Sequence, residues 1–139
     1  MRPMSVSAQN DTVVTKIIWM DAWEFECCGE PFEVGSRVKW ILGVVDQSDK
    51  ERFATLLGEA DASRLTHHET HHGPHDDEVL TYATGSVTAI KAIYQSYDDR
   101  GHLVEGSAHA KDLASAVKFE NEELNGPRFR GYLIDLETP

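Results

Sequence analysis

Apolar residues at every second position recur in four stretches of this 139-residue sequence. Alternation with a period of two, rich in β-branched and aromatic residues, is typical of half-buried β-strands. It predicts extended segments over Ile17–Cys27, Val34–Val45, Thr81–Tyr97 and Phe129–Leu136, the last with Tyr132, Ile134 and Leu136 on one face. The chain is therefore expected to be built mainly from strands.

The first and second segments have features that bear on their pairing. The alternating apolar face of the first segment, which includes Ile17, is expected to face the core. Asp21 interrupts that face, which indicates one strand or two strands joined at a bulge. The turn signal Gly29-Glu30-Pro31 leaves the two segments close enough to form a hairpin. A further turn is predicted at Asp98–Gly101, whereas Lys111–Phe119 is ambiguous.

Helical signals lie between the second and third extended segments. Ser48, with Glu51 three positions later, has the pattern of a capping box, and Gly58 predicts the end of that helix. A second short helix is predicted from Ala60 through the histidines, ending at Gly73-Pro74. These elements predict a mainly β, antiparallel fold, curled into a small barrel or strongly curved sheet, with one or two short inserted helices. An α+β sheet is the alternative.

Length and local composition predict a single domain with a loose N-terminal tail. Residues 1–11 are polar, and residues 12–139 are expected to form the domain. No apolar run reaches the roughly 20 residues that a membrane-spanning helix needs, and the polar residues 1–11 lack the apolar stretch of a secretion signal. The adjacent Cys27 and Cys28 are poorly placed to bridge each other, and reduced thiols fit a cytoplasmic location.

The charge of the chain restricts its partners. With 24 acidic and 13 basic residues, its formal net charge is -11. Binding to nucleic acid or to an anionic membrane surface needs clustered Lys and Arg, so neither is expected. A protein partner or a small cationic ligand is easier to accommodate, and a homo-oligomer is compatible with the sequence. The excess of acidic residues also serves solubility alone.

The histidines are concentrated in one stretch. Five of the seven lie within nine positions: His67, His68, His71, His72 and His75. If this stretch is helical, His67 pairs with His71 and His68 with His72, because residues four apart lie on one helix face. Such a pair can bind one metal ion, and a thiolate from Cys28 or Cys27 is a further zinc ligand. The alternative is a solvated loop or helix end.

A zinc-peptidase pattern overlaps this stretch. His68-Glu69-Thr70-His71-His72 matches His-Glu-x-x-His, in which two histidines on a helix hold zinc and the glutamate acts as a general base. Chance matches are frequent in a histidine-rich tract, and the predicted helix has few apolar residues to dock it. Hydrolysis with Glu69 as base is therefore the least favoured of the three functional hypotheses, and no catalytic residue is assigned.

Tryptophans flank the acidic interruption in the first segment. Trp19, Asp21 and Trp23 could line a pocket, because a carboxylate on an apolar face must be paired or protonated. The alternative is that the tryptophans, together with Trp40, belong to the core and that a bulge turns Asp21 outward. A catalytic cysteine is not expected, because acidic residues surround Cys27 and Cys28 and would raise the pKa of their thiols.

Several segments together carry a resemblance to a known family. They are Trp23, Cys27-Cys28-Gly29, Pro31-Phe32, Val34-Gly35, the histidine stretch, Thr84-Gly85 with Val87, and Gly131-Tyr132-Leu133-Ile134-Asp135-Leu136-Glu137. The chain resembles a family of small uncharacterised actinobacterial proteins classed as a domain of unknown function, over roughly Ile17 to Glu137. The resemblance implies a bacterial protein with a single domain, and it implies no activity, cofactor or site residue.

Three functional hypotheses follow from these observations. A binding or interaction module without catalysis needs only the β-rich fold and the acidic surface. A zinc protein, structural or regulatory, would use His68, His72 and Cys28. A zinc-dependent hydrolase would add Glu69 as the base. The first is preferred because no convincing catalytic constellation is present.

Overall fold

The alternating segments of the sequence become the strands of a closed barrel. The structure, a computed structural model, describes residues 13–23, 25, 30–70, 80–117 and 126–139. Its strands are β1 (Val14–Asp21), β2 (Phe32–Glu33), β3 (Arg37–Val44), β4 (His67–Glu69), β5 (Leu80–Gln95), β6 (His109–Leu113), β7 (Ser115–Ala116) and β8 (Arg128–Thr138). The helices α1 (Gln47–Leu57) and α2 (Glu59–Arg64) lie between β3 and β4.

Five strands surround the barrel in the order β3-β4-β1-β8-β5, and β5 closes the ring by pairing with β3. Every pair is antiparallel except β1 with β4. The 16-residue strand β5 makes closure possible, because its first half pairs with β3 and its second half with β8 and β6. A bulge between Val87 and Ala89 lies between the two halves, and bulges bend strands. The predicted β-rich small barrel is thus confirmed.

The barrel interior holds the larger of two apolar cores. Alternate residues of β1, β5 and β8 point inward, and Phe32 and Ala116 of the β2–β7 ribbon join them. The fully or almost fully buried members include Ile18, Met20, Leu42, Val87, Ile90, Ala92, Ala116, Tyr132, Ile134 and Leu136. Phe25 and Phe32 make edge-to-face contacts with Tyr132 at centroid distances of 5.4 and 6.1 Å. The period-two face predicted for β8 is confirmed here.

The second core lies outside the barrel, beneath the helices. Ile17 and Trp19 of β1 pack there with Leu133 of β8, and α1 and α2 contribute Leu57 and Ala62. Strand β1 is consequently buried on both faces, and its even-numbered residues line the barrel. The expectation that only the face with Ile17 meets the core was wrong, because a helical layer covers what would otherwise be a solvent face.

Two of the predicted helix boundaries need correction. The N-cap of α1 is Asp46, which forms a capping box with Asp49; Ser48 lies inside the helix. The end of α1 at Gly58 is confirmed, and the backbone there has a φ of 87°, which glycine adopts readily. The second helix ends at Arg64 and does not continue through the histidines. Residues His67–Glu69 instead form β4, because they fill the gap between β1 and β3.

The hairpin predicted from the first two extended segments needs correction, because strand β4 is inserted between them. Strands β1 and β3 do not pair with each other in the described part of the chain, since β4 lies between them. Strand β1 also ends earlier than expected, at Asp21, and Ala22 and Trp23 are helical. The turn at Asp98–Gly101 is confirmed by a hydrogen bond from Gly101 N to Asp98 O of 2.9 Å. The ambiguous segment begins in extended structure, as β6 and β7.

Candidate ligand groove

The described histidines do not have the geometry that a helix would have given them. His67 and His68 are neighbours on strand β4, so their side chains point to opposite faces. The helical premise of the zinc prediction was therefore wrong for these two residues. The other expected ligands, His71, His72, Cys27 and Cys28, lie outside the described residues, as does His75. Within the described ranges no group of three or more His, Cys, Asp or Glu could hold a metal ion. Zinc binding stays a prediction.

His67 lies on the inner side of β4, near Lys16 of the neighbouring strand β1. It is in register with Ile18, whose side chain is in the barrel core. Burial, together with nearby Lys16 and His68, lowers the pKa of His67 below its usual value. Lys16 Nζ donates to Thr138 Oγ1 at 3.3 Å. Glu69, two residues on, is in register with Leu42 and is buried, on the opposite face from His68.

The predicted pocket residues of the first segment lie in three different environments. Trp19 is 4% exposed and packs against Phe53 of α1 at a ring centroid distance of 6.1 Å. Trp23 is 63% exposed. Asp21 is half-buried at the end of β1, where its Oδ1 accepts a hydrogen bond of 2.9 Å from Trp23 N. The carboxylate of Asp21 thus caps the turn that follows the strand.

A groove of about 770 Å³ lies between the turn after β5 and the start of β8. We call it the Arg130 groove. It is lined by Tyr97, Asp98, Asp99, Gly101, Gly126, Arg128, Phe129 and Arg130. The groove therefore combines two arginines and an exposed tyrosine with the acidic turn.

Backbone geometry places Arg130 in this groove. Tyr94 is in register with Phe129 and Ile93 with Gly131, so Arg130 is the extra residue of a β-bulge in β8. Bulges re-aim side chains and occur frequently beside binding sites. The next residue, Gly131, has a φ of 151°, and a Cβ there would lie 2.4 Å from Met20 O. Only glycine fits so close to β1, so Gly131 permits the bulge that presents Arg130.

A buried amide holds the Arg130 guanidinium. Gln95 is 1% exposed, and its Oε1 accepts a hydrogen bond of 2.8 Å from Arg130 Nη1. The same Nη1 donates to the hydroxyl of Tyr97. Gln95 Nε2 donates to the carbonyl oxygens of Thr55 and Leu56, at 3.0 and 3.3 Å, in the last turn of α1. Gln95 thereby connects the helix end, which needs donors for its free carbonyl groups, to the arginine.

The carboxylate of Asp98, one of the acidic residues that line the groove, is engaged within its own turn. Asp98 Oδ1 accepts hydrogen bonds of 2.9 Å from the backbone nitrogens of Arg100 and His102, so its carboxylate stabilises its own turn. Asp98 Oδ2 lies 3.9 Å from His102 Nδ1. Asp98 therefore does not neutralise Arg130 through a hydrogen bond, and the guanidinium keeps its charge available to the groove.

The residues of the Arg130 groove were not among the sites predicted from the sequence. Two signals could have indicated them. Glycine inside an alternating strand, as at Gly131, marks a bulge or a close backbone approach. Gln95 lies two positions after Ile93 on the same face of β5, so a polar amide follows a buried apolar side chain. Both signals point to the place where β5 and β8 leave the barrel.

The fold and groove define a small closed β-barrel with a helical layer on one side and a charged groove beside it. Over residues 14–138 the chain matches the model of a family of unknown function, DUF6578, and it belongs to that family. No curated protein and no solved structure matched the chain. The actinobacterial origin and the cytoplasmic location stay predictions. No helix among the described residues is long and apolar enough to cross a membrane.

Proposed function

We propose that this protein is a binding module that holds a small ligand carrying a carboxylate or phosphate group in the Arg130 groove. The observation that carries the proposal is the position of Arg130. Its guanidinium is fixed by Gln95 and Tyr97 at the edge of a groove of about 770 Å³. A charged group held in place by buried protein atoms loses little freedom when a ligand binds.

The donors of Arg130 favour an oxyanion. Both bonds to protein groups use Nη1, and among the described residues Arg130 has no other hydrogen-bond partner. The Nε and Nη2 groups remain, and together they form the flat edge that binds carboxylate or phosphate through two parallel hydrogen bonds. Arg128, which lines the same groove, adds a second positive charge.

The size and composition of the groove fit a small organic acid. Pockets for small molecules usually measure about 300–1,000 Å³. Tyr97 is 38% exposed, so its ring offers an apolar surface for the body of the ligand. The backbone nitrogen atoms of Asp98, Arg100, Gly101 and His102 already donate hydrogen bonds within the turn. Ligand recognition therefore rests on the two arginines and the tyrosine.

The net charge of -11 does not oppose a site of this kind. Charges on a protein surface are screened over about 8 Å at physiological ionic strength. Carboxylates beyond that distance act weakly on a bound ligand, whereas Arg128 and Arg130 line the groove itself, together with Asp98 and Asp99. The cationic ligand was expected from the net charge of the whole chain, and it stays a separate prediction.

Titration calorimetry of the full chain with inorganic phosphate, succinate and citrate tests the proposal, with the polyamine spermidine as the cationic comparison. At least one of the anions is expected to bind, and Arg130→Gln is expected to weaken it about tenfold or more, as for the loss of charge-assisted hydrogen bonds. Arg100→Gln is the matched control, because Arg100 lies in the adjacent turn but does not line the groove. Binding of spermidine alone, or equal effects of the two variants, would overturn the proposal.

A further inference from the structure

A second charged surface lies on the outer side of the barrel, on β3 and the first half of β5. The inward residues of these strands, including Leu42 and Ala83, are in the core. The alternate positions therefore face outward: Arg37, Lys39, Ile41 and Gly43 on β3, and Leu80, Tyr82, Thr84 and Ser86 on β5. We call this set the β3–β5 face. It contains two cations and no acidic residue, in a chain with 24 acidic and 13 basic residues.

An exposed aromatic ring lies at the centre of the β3–β5 face. Tyr82 is 70% exposed and is in register with Ile41 on β3. Lys39 Nζ lies 5.0 Å from the centroid of the Tyr82 ring, which keeps the ammonium group over the face of the ring. Arg37 is exposed at the start of the strand, and no described residue forms an ion pair with Arg37 or Lys39. Within the described part of the chain, the surface thus offers cations without an ion-pair partner beside an aromatic ring.

We propose that the β3–β5 face docks an acidic segment of a partner protein. The charge of the face is complementary to carboxylates, and Tyr82 supplies the kind of ring that anchors interface contacts. A second copy of this chain is a poorer occupant, because a two-fold contact through this face would bring Arg37 and Lys39 of one copy close to the same cations of the other. Nucleic acid is also a poorer occupant, because binding along a phosphate backbone needs more cations than the two on this face.

Fluorescence anisotropy with a labelled oligo-glutamate peptide tests this inference on the full chain. We expect binding at low ionic strength that weakens with added salt, because the contacts are exposed ion pairs. The double variant Arg37→Ala, Lys39→Ala is expected to weaken binding by about fivefold or more, as each exposed pair contributes modestly. Tyr82→Ala is expected to weaken it further, and all three side chains are exposed enough that melting temperatures should stay unchanged.

The matched control is Arg100→Ala, Lys111→Ala, which removes two exposed cations outside both the β3–β5 face and the Arg130 groove and should leave peptide binding unchanged. Equal loss in this control would show that only net charge matters and would overturn the inference. An oligothymidylate that binds as well as the peptide would overturn it in favour of nucleic acid. Self-association in sedimentation experiments that disappears in the Arg37→Ala, Lys39→Ala variant would overturn it in favour of a second copy. Loss of peptide binding in Arg130→Gln, with binding retained in the Arg37→Ala, Lys39→Ala variant, would overturn it in favour of the Arg130 groove.

Discussion

Replacement of Gly131 by alanine tests how strongly the bulge beside Arg130 depends on a close backbone approach. A Cβ at this position would lie 2.4 Å from Met20 O and 2.7 Å from two ring carbons of Trp19. Carbon atoms essentially never approach that closely, so a neighbour must move. Met20 O belongs to the backbone of β1, and Trp19 is 4% exposed and packed against Phe53. Neither neighbour is free to move.

The expected cost has two parts. A φ of 151° is a conformation that an L-residue adopts with strain of about 1–3 kcal/mol. Overpacking in a filled interior costs about 1–3 kcal/mol more. Gly131→Ala should therefore lower the free energy of unfolding by about 2–6 kcal/mol, measured by urea denaturation followed by tryptophan fluorescence.

Gly106→Ala is the control that separates the two parts. Gly106 has a φ of 76°, but a Cβ there would meet nothing within 4 Å. Its replacement should cost only the conformational strain, about 1–2 kcal/mol. If Gly131→Ala destabilises no more than Gly106→Ala, the steric argument for the β1–β8 approach is refuted. Arg130 would then owe its position to contacts other than the close approach of β1 and β8 at Gly131.

Two further predictions concern buried polar groups. Gln95→Leu should lower the free energy of unfolding by about 1–3 kcal/mol, because two α1 carbonyl groups lose their donor, and it should weaken anion binding because Arg130 loses its support. Preserved affinity in that variant would contradict the supporting role of Gln95. The lowered pKa of His67, caused by burial and by Lys16 and His68, means that the unfolded chain takes up a proton more readily. Stability should therefore be complete above about pH 6.5 and decrease as the pH falls towards the lower folded-state pKa, and the decrease should be smaller in His67→Gln. An unchanged pH profile in that variant would assign the effect to other groups.

The strand content of the fold could be predicted because alternation is a local property of the sequence. The inward set Tyr132, Ile134 and Leu136 of β8 was recognised from its period of two, and all three residues are fully buried. The three-residue strand β4 could not be recognised in the same way. His67 and His68 have no strand pattern of their own, and their extended conformation comes from pairing with β1 and β3.

The Arg130 groove depended even more on tertiary structure. Gln95, Tyr97 and Arg130 are separated by up to 35 residues, and none of them belongs to a recognisable motif. Their meeting requires the β5–β8 register and the bulge at Arg130. In the histidine tract, local spacing by itself was misleading. It predicted a helical metal site, whereas the described residues His67–Glu69 form a strand.

The sequence by itself determined that this chain is β-rich and carries an excess of acidic residues, because period and composition can be read from the order of the residues alone. Only the tertiary structure decided that the sheet closes on itself, that β1 is buried on both faces, and that Gln95 meets Arg130. Those features depend on contacts between residues far apart in the chain. Their geometry is set by strand register and by one close approach at Gly131, which no local pattern specifies.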